Sequence, residues 1–418
     1  MRFRPKSVEV LADAQFRALI LSQAIFDLGI FIRGAAASWV VLELTHSPLW
    51  IGLVTGVRAI PILVLPMFGG VIADRFDRRK LMFAAGLLTA AASGATGLLI
   101  VTDTLVPWHM IALAVFGGIS YSLYSPAYYA LIADIVRPER LSNANGILSV
   151  AQTTGEMIGP VITGVVIATS GTHTAYWLVV AGNLVGVTLL FRIREPERSP
   201  SAKGDGDGET GDSNASKTKS SFTSQFTEGL RYAKNTPPLL WLTVLVAAQN
   251  VFGVAIFPLM PIYAEEVLDI GPTGFGLMGG AMGAGTLIGA IFISISGIHR
   301  RHAYVMVSMG LIWDIGMIVF GYSRSVPISL AALFAMGLIS MPWVTSVLTM
   351  FQQAAQKEMR ARVMSLFVTS MGLFSVGWLF GGAVAEWIGN EEALVISALL
   401  GTPVAVIALL LSKELRKA

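Results

Sequence analysis

The chain has 418 residues, of which 54% are hydrophobic and only 13% charged, with a formal net charge of +3. A soluble domain carries about a quarter charged residues, so this composition excludes an ordinary soluble globule and requires lipid around most of the surface. The absence of cysteine excludes disulfides and thiolate metal sites, and the distribution of the charges along the chain speaks against a nucleic-acid partner.

In chain order, Met1–Gln15 is charged and no cleavage-site pattern follows the first apolar run, so it reads as a retained cytoplasmic end and not a signal peptide. Apolar stretches then predict twelve spanning helices, at 17–43, 50–73, 81–102, 108–133, 141–169, 174–192, 239–264, 273–295, 303–322, 327–353, 362–387 and 393–412. No stretch alternates with the two-residue period of a membrane β-strand, so the expected fold class is an all-α membrane protein. The abundance of glycine, 43 residues, suits close packing of membrane helices.

Between the sixth and seventh spans, Lys203-Gly-Asp-Gly-Asp-Gly-Glu-Thr-Gly-Asp212 is low-complexity polar sequence that cannot bury enough apolar surface to order itself. It predicts a six-helix half at 1–192, a cytoplasmic flexible linker at 193–237 and a second six-helix half at 238–418. A shift of 222 residues superimposes the halves without a gap, pairing Glu43 with Glu265, Gly52 with Gly274, Arg78-Arg79 with Arg300-Arg301, Arg140 with Arg362, Gly155 with Gly377 and Gly159 with Gly381. Parallel six-helix repeats organise one large transporter class. Of the 29 Lys and Arg, all but Arg33, Arg58 and Arg324 fall at one predicted end of the bundle. The positive-inside rule then places both termini and the linker in the cytoplasm of a multi-pass plasma-membrane protein.

Two motifs narrow the class. Gly70-Val-Ile-Ala-Asp74-Arg75-Phe76-Asp77-Arg78-Arg79-Lys80, between spans two and three, resembles the G-x-x-x-D-R-x-G-R-R/K signature of the major facilitator superfamily. Gly146, Gly155, Gly159, Pro160 and Gly164 in span five resemble that superfamily's antiporter motif, with Thr163 in place of one glycine. Asp74-Arg75-Phe76-Asp77-Arg78-Arg79, Glu43-Leu44-Thr45-His46-Ser47 and Arg360-Ala361-Arg362-Val363-Met364-Ser365-Leu366 look like its prokaryotic transmembrane secretion effectors, which include enterobactin exporters and macrolide efflux proteins. The resemblance implies the major facilitator fold and a proton-driven exporter that works by alternating access, in a prokaryotic cytoplasmic membrane. It also implies efflux of the kind that gives multidrug resistance. One departure is that 104–133 holds no Arg, where many drug antiporters carry one in span four.

Physical chemistry assigns roles beside the resemblance. Asp74 stands where a carboxylate meets the positive end of span three. With Gly70, Arg75, Arg78 and Arg79 it forms an expected conformational gate whose basic side chains reach the opposing half. Arg79 and Lys80 also serve as topology signals. The span-five glycines are expected to pack against a neighbouring backbone, with Pro160 bending the helix.

Intramembrane ionisable groups are functional candidates by default. Helical rise puts Glu156 about 22 Å, Arg33 about 24 Å and Asp27 about 15 Å from the cytoplasmic end, with Arg58 about 12 Å below the outer end. Arg33, Arg58 and Glu156 are therefore expected at one height, with Glu156 neutralising one Arg. An acid so paired holds a proton poorly, whereas Asp27, with no evident partner, suits a proton carrier. Asp314 ranks behind both.

For the substrate cavity the expected residues are Tyr121, Tyr124, Ser125 and Tyr128 on one face of span four, Gln249 and Asn250 in span seven, and Trp343 and Ser346 in span ten. Aromatic faces suit flat amphipathic molecules. The expected partners are a small-molecule substrate, protons and membrane lipid, with no nucleic acid, cofactor or metal, and the chain is expected to act as a monomer. Five histidines near span ends and no nucleophile–base arrangement speak against an enzyme. A lipid flippase and a nutrient symporter of the same fold are the rival transport readings.

Overall fold

The computed structural model describes residues 10–65, 77–193, 230–296, 302–355 and 359–411. Among them every regular element is helical. In lipid a spanning segment must satisfy its own backbone hydrogen bonds, and a helix does so within itself.

A short 3-10 turn, Val10–Ala12, leads into α1 (Ala14–Thr45), which is N-capped by Asp13 accepting from the amides of Gln15 and Phe16. The second span is broken at Arg58 into α2 (Pro48–Val57) and α3 (Ala59–Val64). Then come α4 (Arg78–Val101), α5 (Pro107–Ile135), α6 (Leu141–Ser170) and α7 (Thr172–Leu190). In the second half the seventh span is α8 (Pro237–Phe252) and α9 (Ile256–Ile262), ending in a π-turn at Tyr263–Val267. There follow α10 (Gly271–Ser296), α11 (His302–Tyr322), α12 (Val326–Ala354), the split pair α13 (Arg360–Gly372) and α14 (Phe374–Ile388), and α15 (Asn390–Leu411). Among the described residues ten helical stretches are long and apolar enough to cross a membrane, and Pro48–Ile62 is a shorter apolar one. With α15 these are the twelve predicted spans.

The acid that caps α4 is Asp77, which accepts from the amides of Arg79 and Lys80 at 2.8 and 3.3 Å. The expectation placed Asp74 at that helix end. Gly70, Asp74 and Arg75 themselves lie outside the described residues.

The repeat has a packing counterpart. Gly155 of α6 lies on Leu28 of α1, and Gly377 of α14 lies on the Asn250 carbonyl of α8. Leu28 and Asn250 are themselves 222 residues apart. Gly159 against Phe31 and Ile32 is mirrored by Gly381 against Ala255. Small residues let each half press two of its own helices together along the same line. Gly146 has no such role here, since a side chain added there would meet nothing within 4 Å.

The halves meet along two seams, both toward the end of the bundle away from the termini. In one, α6 crosses α10: a methyl on Gly276 would stand 2.7 Å from the Pro160 carbonyl, and one on Gly164 would stand 2.9 Å from the Gly276 Cα. In the other, α2 crosses α14, where a methyl on Gly56 would stand 2.9 Å from the Ser375 carbonyl. At this far end Ser47 donates to Glu386 at 2.6 Å and His46 sits 3.5 Å from Glu266, both across the divide.

Candidate functional site

Between the seams lies a cavity of about 410 Å³ walled by both halves. Arg33, Arg58, Glu156, Ser38, Thr55, Thr96 and Tyr176 face it from the first half. Phe257, Met260, Phe275, Met282 and Trp378 face it from the second.

Two adjacent glycines position the arginines. The Arg33 guanidinium rests on Gly117 of α5, its central carbon 3.0 Å from where a side chain would begin. Gly118 beside it receives the Arg58 carbonyl and the Pro61 ring. A side chain at Gly118 would push the α2–α3 junction off α5, and one at Gly117 would displace the Arg33 guanidinium. The two guanidinium groups are close enough to repel one another. Arg58 Nε has no hydrogen-bond partner among the described residues, and neither does the buried Tyr176 hydroxyl.

The expected convergence of Arg33, Arg58 and Glu156 on one level is what the cavity wall shows. The expected ion pair is not. Among the described residues Glu156 has no basic group within 4.0 Å. Helical rise fixes a residue's height but not the direction in which it faces across a cavity.

Asp27 occupies a separate site. It is 7% exposed and accepts a 2.8 Å hydrogen bond from Gln23 Nε2 one turn below, so it does have a partner. It lies near enough to Tyr121, Tyr124 and Tyr128 to act on them electrostatically. Phe26 stacks on Tyr124 with ring centroids 3.8 Å apart, and the buried hydroxyl of Tyr128 has no partner among the described residues. The tyrosine face of α5 therefore packs on α1 and does not line the cavity.

None of the other expected substrate contacts lines it either. Asn250 donates to the Val246 carbonyl at 2.8 Å, Gln249 lies beside Gly310 and Gly401, Trp343 packs against the core at the terminal end, and Ser346 is fully buried. Ser125 likewise lies off the cavity wall, and Asp314 is buried beside Gly401. The repeat held the missing signal: shifting Glu156, Ser38 and Ala35 by 222 residues lands on Trp378, Met260 and Phe257, and all six line the cavity.

At the terminal end Arg78 pairs with Asp134 and donates to the Ala130 carbonyl at 3.2 Å. Arg79 donates to the Ile193 carbonyl at 3.1 Å and lies 5.4 Å over the Phe191 ring. Among the described residues both are engaged within their own half. The α6 motif has a second use in Thr163, whose hydroxyl donates to the Gly159 carbonyl at 2.8 Å and approaches that of Ile32 at 3.3 Å.

The sequence profile of the Major Facilitator Superfamily matches residues 19–376. Macrolide efflux protein A of Streptococcus pyogenes is 21% identical over 407 residues, covering 96% of this chain and 97% of that protein. An enterobactin exporter of Shigella flexneri is 30% identical over 189 residues, 44% of this chain and 45% of that one. Among solved structures, a D-xylose–proton symporter superposes with a TM-score of 0.72 at 14% identity, covering 97% of this chain and 99% of that one.

Proposed function

The chain belongs to the Major Facilitator Superfamily, and on that premise we propose that it is a proton-coupled exporter, an antiporter of small amphipathic organic molecules. The observation that carries this reading is the cavity walled by both halves, charged on one side and apolar on the other. A cavity of about 410 Å³ lies within the range that holds drug-sized ligands. The tight seams at the far end close it there, so that rocking of the halves exposes it alternately to each side. With termini and linker in the cytoplasm, the seams face outward and the substrate enters from inside. The likeness to relatives named as a macrolide efflux protein and an enterobactin exporter supports the outward direction.

Asp27 is the proton-carrying acid in this reading. Its burial on α1, away from the substrate wall, lets protonation bias how α1 packs on α5 without competing for the same space. A membrane potential supplies about 2.3 kcal/mol per charge per 100 mV and one pH unit about 1.4. Together they support a gradient of roughly several hundred-fold. Gly70, Asp74, Arg75, Arg78 and Arg79 form the cytoplasmic gate, with Asp77 as helix cap.

The test is direct. Everted vesicles carrying the protein should accumulate an amphipathic dye when energised, and a protonophore should abolish accumulation. Accumulation in right-side-out vesicles instead would make the protein an importer. In this cysteine-free chain, single cysteines at Ser213 and at Thr104, exposed at the far end, should label from opposite sides of the membrane. Labelling of both by an impermeant reagent from outside would refute the orientation.

A further inference from the structure

Two arginines that face a cavity inside a membrane protein are costly unless something neutralises them. Arg33, its guanidinium on Gly117, and Arg58, its backbone carbonyl on the adjacent Gly118, both line the cavity, lie close enough to repel one another, and have no carboxylate within ion-pairing distance among the described residues. Glu156, the one acid among the lining residues, has no basic group within 4.0 Å among the described residues. The opposing wall of Phe257, Met260, Phe275, Met282 and Trp378 offers no charge at all. The guanidinium fork matches planar and tetrahedral oxyanions, and flat apolar surface matches a ring system.

We infer that the occupant of this cavity is a compact amphipathic organic monoanion, its acid group held between Arg33 and Arg58 and its apolar body against the second-half wall. The inference rests on the proposal that this cavity is the transport site. Charge count sets the preference: two cationic groups against one anionic group favour a negative ligand over a positive one, and Glu156 opposes a second negative charge on the same molecule.

The experiment uses the full-length protein in nanodiscs of zwitterionic lipid and three naphthalene probes of one size. These are anilinonaphthalene sulfonate (anionic), phenylnaphthylamine (neutral) and a trimethylammonium naphthalene (cationic), each titrated by fluorescence. The sulfonate should bind saturably and most tightly, and the ammonium probe most weakly. Arg33→Gln and Arg58→Gln should each weaken the sulfonate about tenfold or more, with the neutral probe as the folding control and partial rescue by Arg58→Lys. Ser38→Trp, which fills the cavity, should abolish binding of sulfonate and neutral probe together. Loss of binding in Ser38→Trp but equal affinity for all three probes, indifferent to the arginine variants, would overturn the anion inference and leave the cavity reading standing. Binding unaffected by Ser38→Trp, or no saturable binding of any probe, would overturn both. Displacement of the sulfonate by anionic phospholipid would assign the arginines to a lipid headgroup and overturn the small-molecule inference.

Discussion

The two halves share one packing plan and differ in what they present to the cavity. Gly155 and Gly159 on α1 are matched by Gly377 and Gly381 on the seventh span, position for position. Yet where the first half presents Glu156 and Ser38, the second presents Trp378 and Met260 at the equivalent places. The repeat has kept the small residues that bring helices together and let the chemistry diverge. A glycine at a crossing is held by the neighbouring backbone, whereas a side chain facing an open cavity answers only to the ligand. Every charge on the cavity wall therefore belongs to the first half, and the second half supplies apolar surface.

This comparison predicts that substitutions at the seams act alike in both halves and substitutions at the wall do not. The largest effect should come from the seams. Gly276→Leu and Gly56→Leu each force bulk into a backbone contact, at a cost of about 1–3 kcal/mol or more against the closed far end. Dye efflux should fall tenfold to a hundredfold, and cross-linking of cysteines placed across the far end should fall with it. Efflux near wild type in either variant would show that the seams are not needed for closure.

Next come the matched wall positions. Glu156→Gln removes the one negative group of the cavity wall, so the sulfonate probe should bind several-fold more tightly, on the order of 1 kcal/mol. Trp378→Phe keeps an apolar ring and should change binding by less than about twofold. Equal effects at the two sites would break the distinction between a charged and an apolar wall. The smallest effect is at the far-end hydrogen bond: Ser47→Ala removes the donor to Glu386, worth about 1 kcal/mol. It should raise accessibility of far-end cysteines to an impermeant reagent by roughly fivefold while efflux persists.

Much of this architecture is legible in the sequence. The charge-free runs and the one-sided Lys and Arg mark the spans, and small-residue spacing in α6 marks Gly155, Gly159 and Gly164 as packing sites, where added side chains would meet α1 or α10. Arg33, Arg58 and Glu156 were legible in height for the same reason, because helical rise is constant. Which neighbour a face meets was not. Tyr121, Tyr124 and Tyr128 share a face by periodicity, but whether it meets α1 or a cavity depends on how the helices pack, and Phe26 stacking on Tyr124 settles it toward α1. The second-half wall was hidden for a different reason, since Phe257, Met260 and Met282 are the residues a lipid-facing surface would also use. Gly146 fits the motif's spacing, yet a side chain added there would meet nothing within 4 Å.

The central claim is that substrate and proton are handled at separate places in the first half, the cavity wall and Asp27. The most direct measurement compares sulfonate-dye counterflow with uphill export in proteoliposomes of Asp27→Asn under an imposed pH gradient. The account predicts counterflow close to wild type and no uphill, pH-driven export. Proton-driven uphill export persisting in Asp27→Asn but lost in Glu156→Gln would contradict it, and would place the proton on the cavity wall.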